Sequence, residues 1–449
     1  MRCTVGPMDD RTDAHVARQR QGLTASVTDF DVERQRALLI GLIRSAKDRA
    51  KGDASLAELG LLTDTAGSDP VVSELVRRER PDPATFIGKG KLSELVGLSK
   101  AEDIDVVVFD NELSPAQQRN LQIAFQCDVV DRVALILDIF AQHAHTKEGM
   151  LQVELAQHRY RLPRLRGKGT ELSRLGAGIG TRGPGETKLE TDRRRILERV
   201  RKIETELKHA KRSRATQSKR RKSAGDPVVA IVGYTNAGKS TLFNRLTDAG
   251  VLVEDRLFAT LDSTVRKLEL PHGHTALMSD TVGFVRDLPH ELVEAFRSTL
   301  EEAADADLLV HLVDSSDSDP DHQVASVRNV LVEIGAEDVD ELIVYNKTDA
   351  ISEAQLARLH ELHPAAEFVS AETGDGIPDL LDAIVDRLDA KTVELALRIP
   401  YDRGDVLAEV HGVGEVTHVE HLGDGTEVSV RLPHDEAHRF REFVVGVES

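Results

Sequence analysis

The chain has no tryptophan, only two cysteines and 4% aromatic residues across 449 positions. Cys3 and Cys127 alone cannot build a disulfide framework or a four-thiolate zinc site, so a reducing compartment is the natural setting. No apolar run approaches the ~20 residues that cross a bilayer. The start, MRCTVGPMDDRTDAH, has no signal-peptide hydrophobic core. A soluble, cytoplasmic protein is expected. Positive charge is also scarce: 58 Lys and Arg face 77 Asp and Glu, a net charge of −19. That excludes a uniformly basic nucleic-acid coat, though not a local basic patch. Only 17 of the 58 are lysine. An acidic, lysine-poor surface fits a halophile protein, because high salt screens charge self-repulsion.

The length suits two to four domains. Residues 1–35 are polar and read as a flexible tail. From 36 to 135 helical and strand patterns alternate, as in a small parallel α/β domain. There ALLIGLIRSAKDRA (37–50) reads as helix, and IDVVVFD (104–110) as a buried strand. SPAQQRNLQIAFQ (114–126) reads as a helix capped by Ser114 and opened by Pro115, and CDVVD (127–131) as another strand.

Residues 136–224 read as a basic helical hairpin. One helix runs through LQVELAQHRYRL, a Gly-rich loop LGAGIGTRGPGET spans 175–187, and a second helix follows. Its apolar positions Leu189, Ile196, Val200, Ile203 and Leu207 fall on one face. Residues 193–222 hold 14 Lys and Arg against three acids, a local charge of +11 in a remainder of −30. A run this basic on so acidic a background points to a polyanionic partner. Arg161, Arg164, Arg166, Lys168 and Arg182 add positive charge for RNA phosphates. The segment 391–449 reads as a small C-terminal domain of strands around a helix. The pairs His143/His145 and His272/His274 lack further ligands nearby and read as ordinary loop histidines.

Between these, residues 225–390 carry the chemistry. The apolar strand PVVAIV enters Gly233-Tyr234-Thr235-Asn236-Ala237-Gly238-Lys239-Ser240-Thr241 and then the helical LFNRLTD. This is the G-x-x-x-x-G-K-S phosphate cradle in its strand–loop–helix setting. Backbone N–H groups and the helix N-terminus face phosphates, Lys239 reaches the β/γ-phosphates, and the Ser240 hydroxyl can bind Mg²⁺. Asp280-Thr281-Val282-Gly283 ends the strand TALMSD, where Asp280 can hold Mg²⁺ through water and the Gly283 N–H can sense a γ-phosphate. Asn346-Lys347-Thr348-Asp349 ends the strand ELIVYN, and the Asp349 carboxylate can accept from both N1–H and the exocyclic amine of guanine. Ser370-Ala371-Glu372 would close over the base. Phe258-Ala259-Thr260-Leu261-Asp262 supplies Thr260 to complete the Mg²⁺ shell, with Thr264 as runner-up. Lys239, Thr260 and Gly283 are the expected catalytic groups. Phe284 stands where Ras-like GTPases carry a water-orienting glutamine, so slow intrinsic hydrolysis with outside help is expected.

The five-part set is the signature of translation-factor-class GTPases. GYTNAGKST, LFATLDST and DTVGFVRDLPHELVEAFRSTLEE are similar to the HflX family, as are TFIGKGKLSEL, FDNELSPAQQRNL, GIGTRGPGETKLETDRRRI and ELALRIPYDRGDVLAEVH. The likeness covers about 36–449. Ser263 and Lys188 depart from the family's usual proline and glutamine, away from the phosphate chemistry. The resemblance implies a GTP-hydrolysing protein with Mg²⁺ that binds the large ribosomal subunit and its rRNA. Splitting or rescuing ribosomes, or subunit biogenesis, would be its role. A monomer with an α/β fold is expected, its P-loop G domain flanked by a smaller α/β domain and a small α+β domain. Two alternatives stay open: a GTP-dependent RNA-modification factor, and a regulatory switch with a protein partner.

Overall fold

A computed structural model describes residues 34–165, 184–222, 227–247, 257–258, 264–286, 300, 302–317 and 319–445. The expected tail up to residue 33, most of the Gly-rich loop and residues 259–262 lie outside the described residues.

The first sheet has four parallel strands, β1 (Gln35–Ile43), β2 (Ser68–Arg77), β3 (Val106–Phe109) and β4 (Asp128–Asp131), in the order β2-β1-β3-β4. ALLIGLI is therefore strand, and the helical reading of 37–50 is corrected. The cause is double burial: Ala37 and Leu39 join one core while Leu38 and Ile40 join the other. A strand covered on both faces is a continuous apolar run and loses the alternation that marks a strand. Helices α1 (Arg49–Thr65) and α4 (Arg132–His143) cover the first face. Helices α2 (Lys89–Ala101) and α3 (Pro115–Phe125) cover the second. The start of α3 is as read: Gln117 N–H donates to the Ser114 hydroxyl, the Gln117 side chain accepts from Ser114 N–H, and Pro115 opens the first turn.

Helices α5 (Lys147–Arg164) and α6 (Pro184–Lys222) pack together. Leu151 and Leu155 bury Ile203, with Val200 and Leu207 at the margin. Arg199 grips Glu154 with two hydrogen bonds, at 2.6 and 2.5 Å.

The central sheet contains β5 (Val228–Gly233), β6 (Thr264–Glu269), β7 (Thr275–Asp280), β8 (Leu308–Asp314), β9 (Asp340–Asn346) and β10 (Glu367–Phe368). Their order is β10-β9-β8-β5-β7-β6, parallel except for the β6–β7 pair. Helices α7 (Lys239–Thr247), α8 (Pro320–Ile334), α9 (Glu353–Leu362) and α10 (Ile377–Asp389) belong to this unit. Gly233, Asp280 and Asn346 end three parallel strands of this sheet, so the carboxyl ends gather the motifs at one edge, where such sheets bind ligands.

The last sheet is antiparallel, with β11 (Thr392–Pro400), β12 (Glu415–His421) and β13 (Gly425–Pro433) in the order β11-β13-β12. Helix α11 (Gly404–Val413) lays Val406 and Val410 on Leu397, Val428 and Val430. One hydrophobic core runs from Leu39, Ile136 and Phe140 of the N-terminal unit into Ala230, Val232, Phe258, Phe284 and Leu309 of the central one. Among the described residues no helix is long and apolar enough to cross a membrane.

Candidate nucleotide-binding site

The loop from Gly233 to Gly238 is fixed by main-chain pairing with the segment after Asp280. Phe284 N–H donates to the Gly233 carbonyl (3.1 Å), and Thr235 N–H donates to the Phe284 carbonyl (2.6 Å). The Thr281 hydroxyl reaches back to the Ile231 carbonyl (2.6 Å). Gly283 thereby lies so close to the loop that a Cβ on it would stand 2.8 Å from Thr235 Cγ2 and 3.0 Å from Lys239 Nζ. Gly238, at φ +89°, leaves no room either, since a Cβ there would stand 2.3 Å from Asn346 Nδ2.

Lys239 opens α7, is 7% exposed, and donates to the Tyr234 carbonyl at 2.7 Å. Burial lowers its pKa to about 8, against the opposing pull of the Asp280 charge. The Ser240 hydroxyl donates to Asp280 at 3.1 Å, which brings the two expected Mg²⁺ ligands together. The Thr235 hydroxyl is buried with no protein hydrogen-bond partner among the described residues. A hard-oxygen pair beside a buried cation and an unengaged hydroxyl suits a phosphate-bound Mg²⁺ chemically.

The base-reading side is tied to the same loop. Asn346 donates to the Ala237 carbonyl (2.7 Å) and accepts from Ala371 N–H (2.9 Å), so one amide spans the phosphate loop and the Ser370-Ala371-Glu372 loop. Lys347 takes the left-handed conformation (φ 63°), its ammonium 2.7 Å from Asp314. The turn Thr348–Ala350 presents Asp349. Arg245 of α7 donates to the carbonyl of Ala371 at 2.5 Å and to that of Glu372.

Thr241 follows in the first turn of α7, Asn236 holds φ 61°, and Ala237 and Val282 are buried in the site's walls. Phe258 is committed to the core, with its ring edge-on to Phe140 at 4.6 Å. Phe284 is 1% exposed in the same core. Thr260, with Ala259, Leu261 and Asp262, lies outside the described residues. Among the described groups at the site that carried no motif are Arg245, and Glu58 of α1, which accepts from the Tyr234 hydroxyl at 3.0 Å to each oxygen. Glu58 is 176 residues from its partner, and no local spacing marks it.

Residues 53–141 match the family described as "GTP-binding GTPase N-terminal", 143–221 that described as "GTP-binding GTPase Middle Region", and 228–347 that described as "50S ribosome-binding GTPase". The protein named GTPase HflX from Caldanaerobacter subterraneus subsp. tengcongensis is 44% identical over 414 residues, spanning 92% of this chain and 95% of its own. The chain belongs to the HflX GTPase family. The GTPase HflX of Escherichia coli K12 is 42% identical over 84% of this chain and 89% of its own. A solved GTP-binding protein from Sulfolobus solfataricus in complex with GDP is 24% identical, spans 79% of this chain and 98% of its own, and has a TM-score of 0.42. Within this HflX-family chain, the three matched stretches follow the order of the N-terminal sheet, the paired helices α5 and α6, and the phosphate loop.

Proposed function

We propose that this HflX-family GTPase works in the cytoplasm on the large ribosomal subunit, binding it in the GTP-bound state and leaving after hydrolysis. Ribosome splitting, rescue or biogenesis would be its setting. The observation that carries the ribosome reading is the helix α6, whose Arg193, Arg194, Arg195, Arg201 and Lys202 are exposed on an otherwise strongly acidic protein. Such a surface gains affinity for RNA phosphates through counterion release. A family description naming a 50S ribosome-binding GTPase supports the same partner.

At the nucleotide, the backbone of Gly233–Ser240 and the start of α7 would cradle the phosphates. Lys239 would neutralise β/γ charge, and Gly283 N–H would meet the γ-phosphate. Ser240, Asp280 and Thr260 would hold Mg²⁺, which when bound offsets phosphate charge. Asn346, Lys347, Thr348 and Asp349 would read guanine, with Ser370, Ala371 and Glu372 closing over it. A buried phenylalanine at 284 offers no hydrogen bond to water. Intrinsic turnover is therefore slow, and the ribosome supplies the missing positioning.

Co-sedimentation with purified large subunits tests the partner: the protein pellets with subunits in a non-hydrolysable GTP analogue and less so in GDP. Absence from the subunit fraction in both nucleotides rejects it. Base reading is tested separately. Asp349→Asn exchanges an acceptor pair for an amide and shifts preference from GTP to xanthosine triphosphate by at least ~100-fold, since a site that hydrogen-bonds a base edge rejects the base whose donors and acceptors do not match. Competition binding measures the shift, and an unchanged GTP preference places base recognition elsewhere.

A further inference from the structure

Glu58 belongs to α1, outside the central sheet, and its side chain is 13% exposed. Four contacts converge on its carboxylate. The Tyr234 hydroxyl lies 3.0 Å from both oxygens, Arg286 N–H donates at 3.3 Å, the Arg286 guanidinium stands 3.7 Å away, and the Arg132 guanidinium donates at 3.4 Å. Arg132 in turn donates to Asp110 (2.6 Å) and to the carbonyl and hydroxyl of Ser55 (3.2 Å each), so the orientation of Glu58 is set by the N-terminal unit.

The positions of the two gripped residues matter. Tyr234 follows the first glycine of the phosphate loop, and its carbonyl receives the Lys239 ammonium. Arg286 lies three residues after Gly283. A single carboxylate therefore holds both phosphate-facing segments from behind. Burial first, and the Glu58 charge second, push the Tyr234 phenol's pKa upward, so it remains a donor at any physiological pH. Hydrogen bonds to an ionised acceptor in a largely buried site are roughly twice as strong as neutral ones.

We propose that Glu58 is a positioning residue of the nucleotide site, acting through Tyr234 and Arg286, so that the N-terminal unit completes the phosphate cradle. This rests on the reading of Gly233–Ser240 as that cradle. The test uses the full chain with Glu58→Gln, Tyr234→Phe and the double variant, titrated with a fluorescent GDP analogue and checked for folding by circular dichroism and thermal unfolding. Each single variant weakens GDP binding about tenfold, the loss expected for a hydrogen bond to a charged group. The double variant is no weaker than Glu58→Gln alone, because that change already disturbs the Tyr234 link together with the Arg286 one. Additive losses, or wild-type affinity in the folded variants, overturn the proposal, even where the unfolding midpoint drops. Tyr234→Phe deletes one hydroxyl and keeps the ring, so it carries the test should Glu58→Gln fail to fold. A wild-type chain that binds no GDP instead rejects the cradle reading itself.

Discussion

Replacing Lys239 with methionine lowers GTP hydrolysis by on the order of 10²–10³-fold, the loss seen when one preorganised electrostatic donor is removed from a water-excluded site. Methionine fills similar space, so the fold survives and the effect isolates the charge. The lysine is buried, its ammonium donates to the Tyr234 carbonyl, and a Cβ on Gly283 would stand 3.0 Å from it. The same burial makes the affinity pH-dependent. In the unliganded protein the ammonium loses its proton near pH 8, well below the ordinary lysine value. Phosphates favour the charged form, so GDP binding above about pH 8 takes up a proton and weakens as pH rises. Calorimetry in two buffers of different ionisation enthalpy reads this directly. Proton uptake is near zero at pH 7, grows toward one at pH 9, and vanishes in Lys239→Met. A pH-independent affinity across that range contradicts the assignment.

Arg132→Met carries the largest expected stability loss. Arg132 is 5% exposed and faces Asp110 and Glu58, whose side chains are 12% and 13% exposed. Removing the cation takes from Asp110 its guanidinium partner and leaves Glu58 with that of Arg286, and breaking one partner out of a buried ionic cluster costs about 3–5 kcal/mol. Urea unfolding followed by far-ultraviolet circular dichroism measures it. A change under about 1 kcal/mol would mean that water reaches both carboxylates. Neutralising Asp110 with Asp110→Asn in the Arg132→Met background recovers part of the loss, because the uncompensated charge is then gone.

How far the sequence reveals this molecule depends on range. The phosphate loop is legible because strand β5, the glycine turn and helix α7 are contiguous, and each needs only local geometry. Asp280, Asn346 and Asp349 are legible because each ends an apolar strand with a short motif. Strand β1 is not, because burial on both faces removes the alternation that distinguishes a strand. Strand β2 leaves little trace, since it is an edge strand with Pro70 in it and only Val76 fully buried. In the C-terminal unit the three valines of VLAEVHGV give it a strand-like content, and its helical state follows from packing Val406 and Val410 together. Glu58, Arg132 and Arg245 are hidden because their partners are brought near by the fold alone. The chemistry of Glu58 and Arg132 belongs to the contact between the two units, and that of Arg245 lies within the central one.

Helix α6 has a fixed reach of its own. At 39 residues it is about 58 Å long, whereas a flexible chain of that length would average roughly 34 Å with a broad spread. The stretch from Leu207, which packs against the Leu151 and Leu155 cluster of α5, to Lys222 fixes phase as well as distance along the helix. Deleting one residue there turns the rest of the helix by ~100° and draws it in by ~1.5 Å, while deleting seven restores the phase to within ~20° but shortens the helix by ~10 Å. The number of residues in this helix thus sets how far from the contact with α5, and at what angle around the helix axis, its end at Lys222 stands.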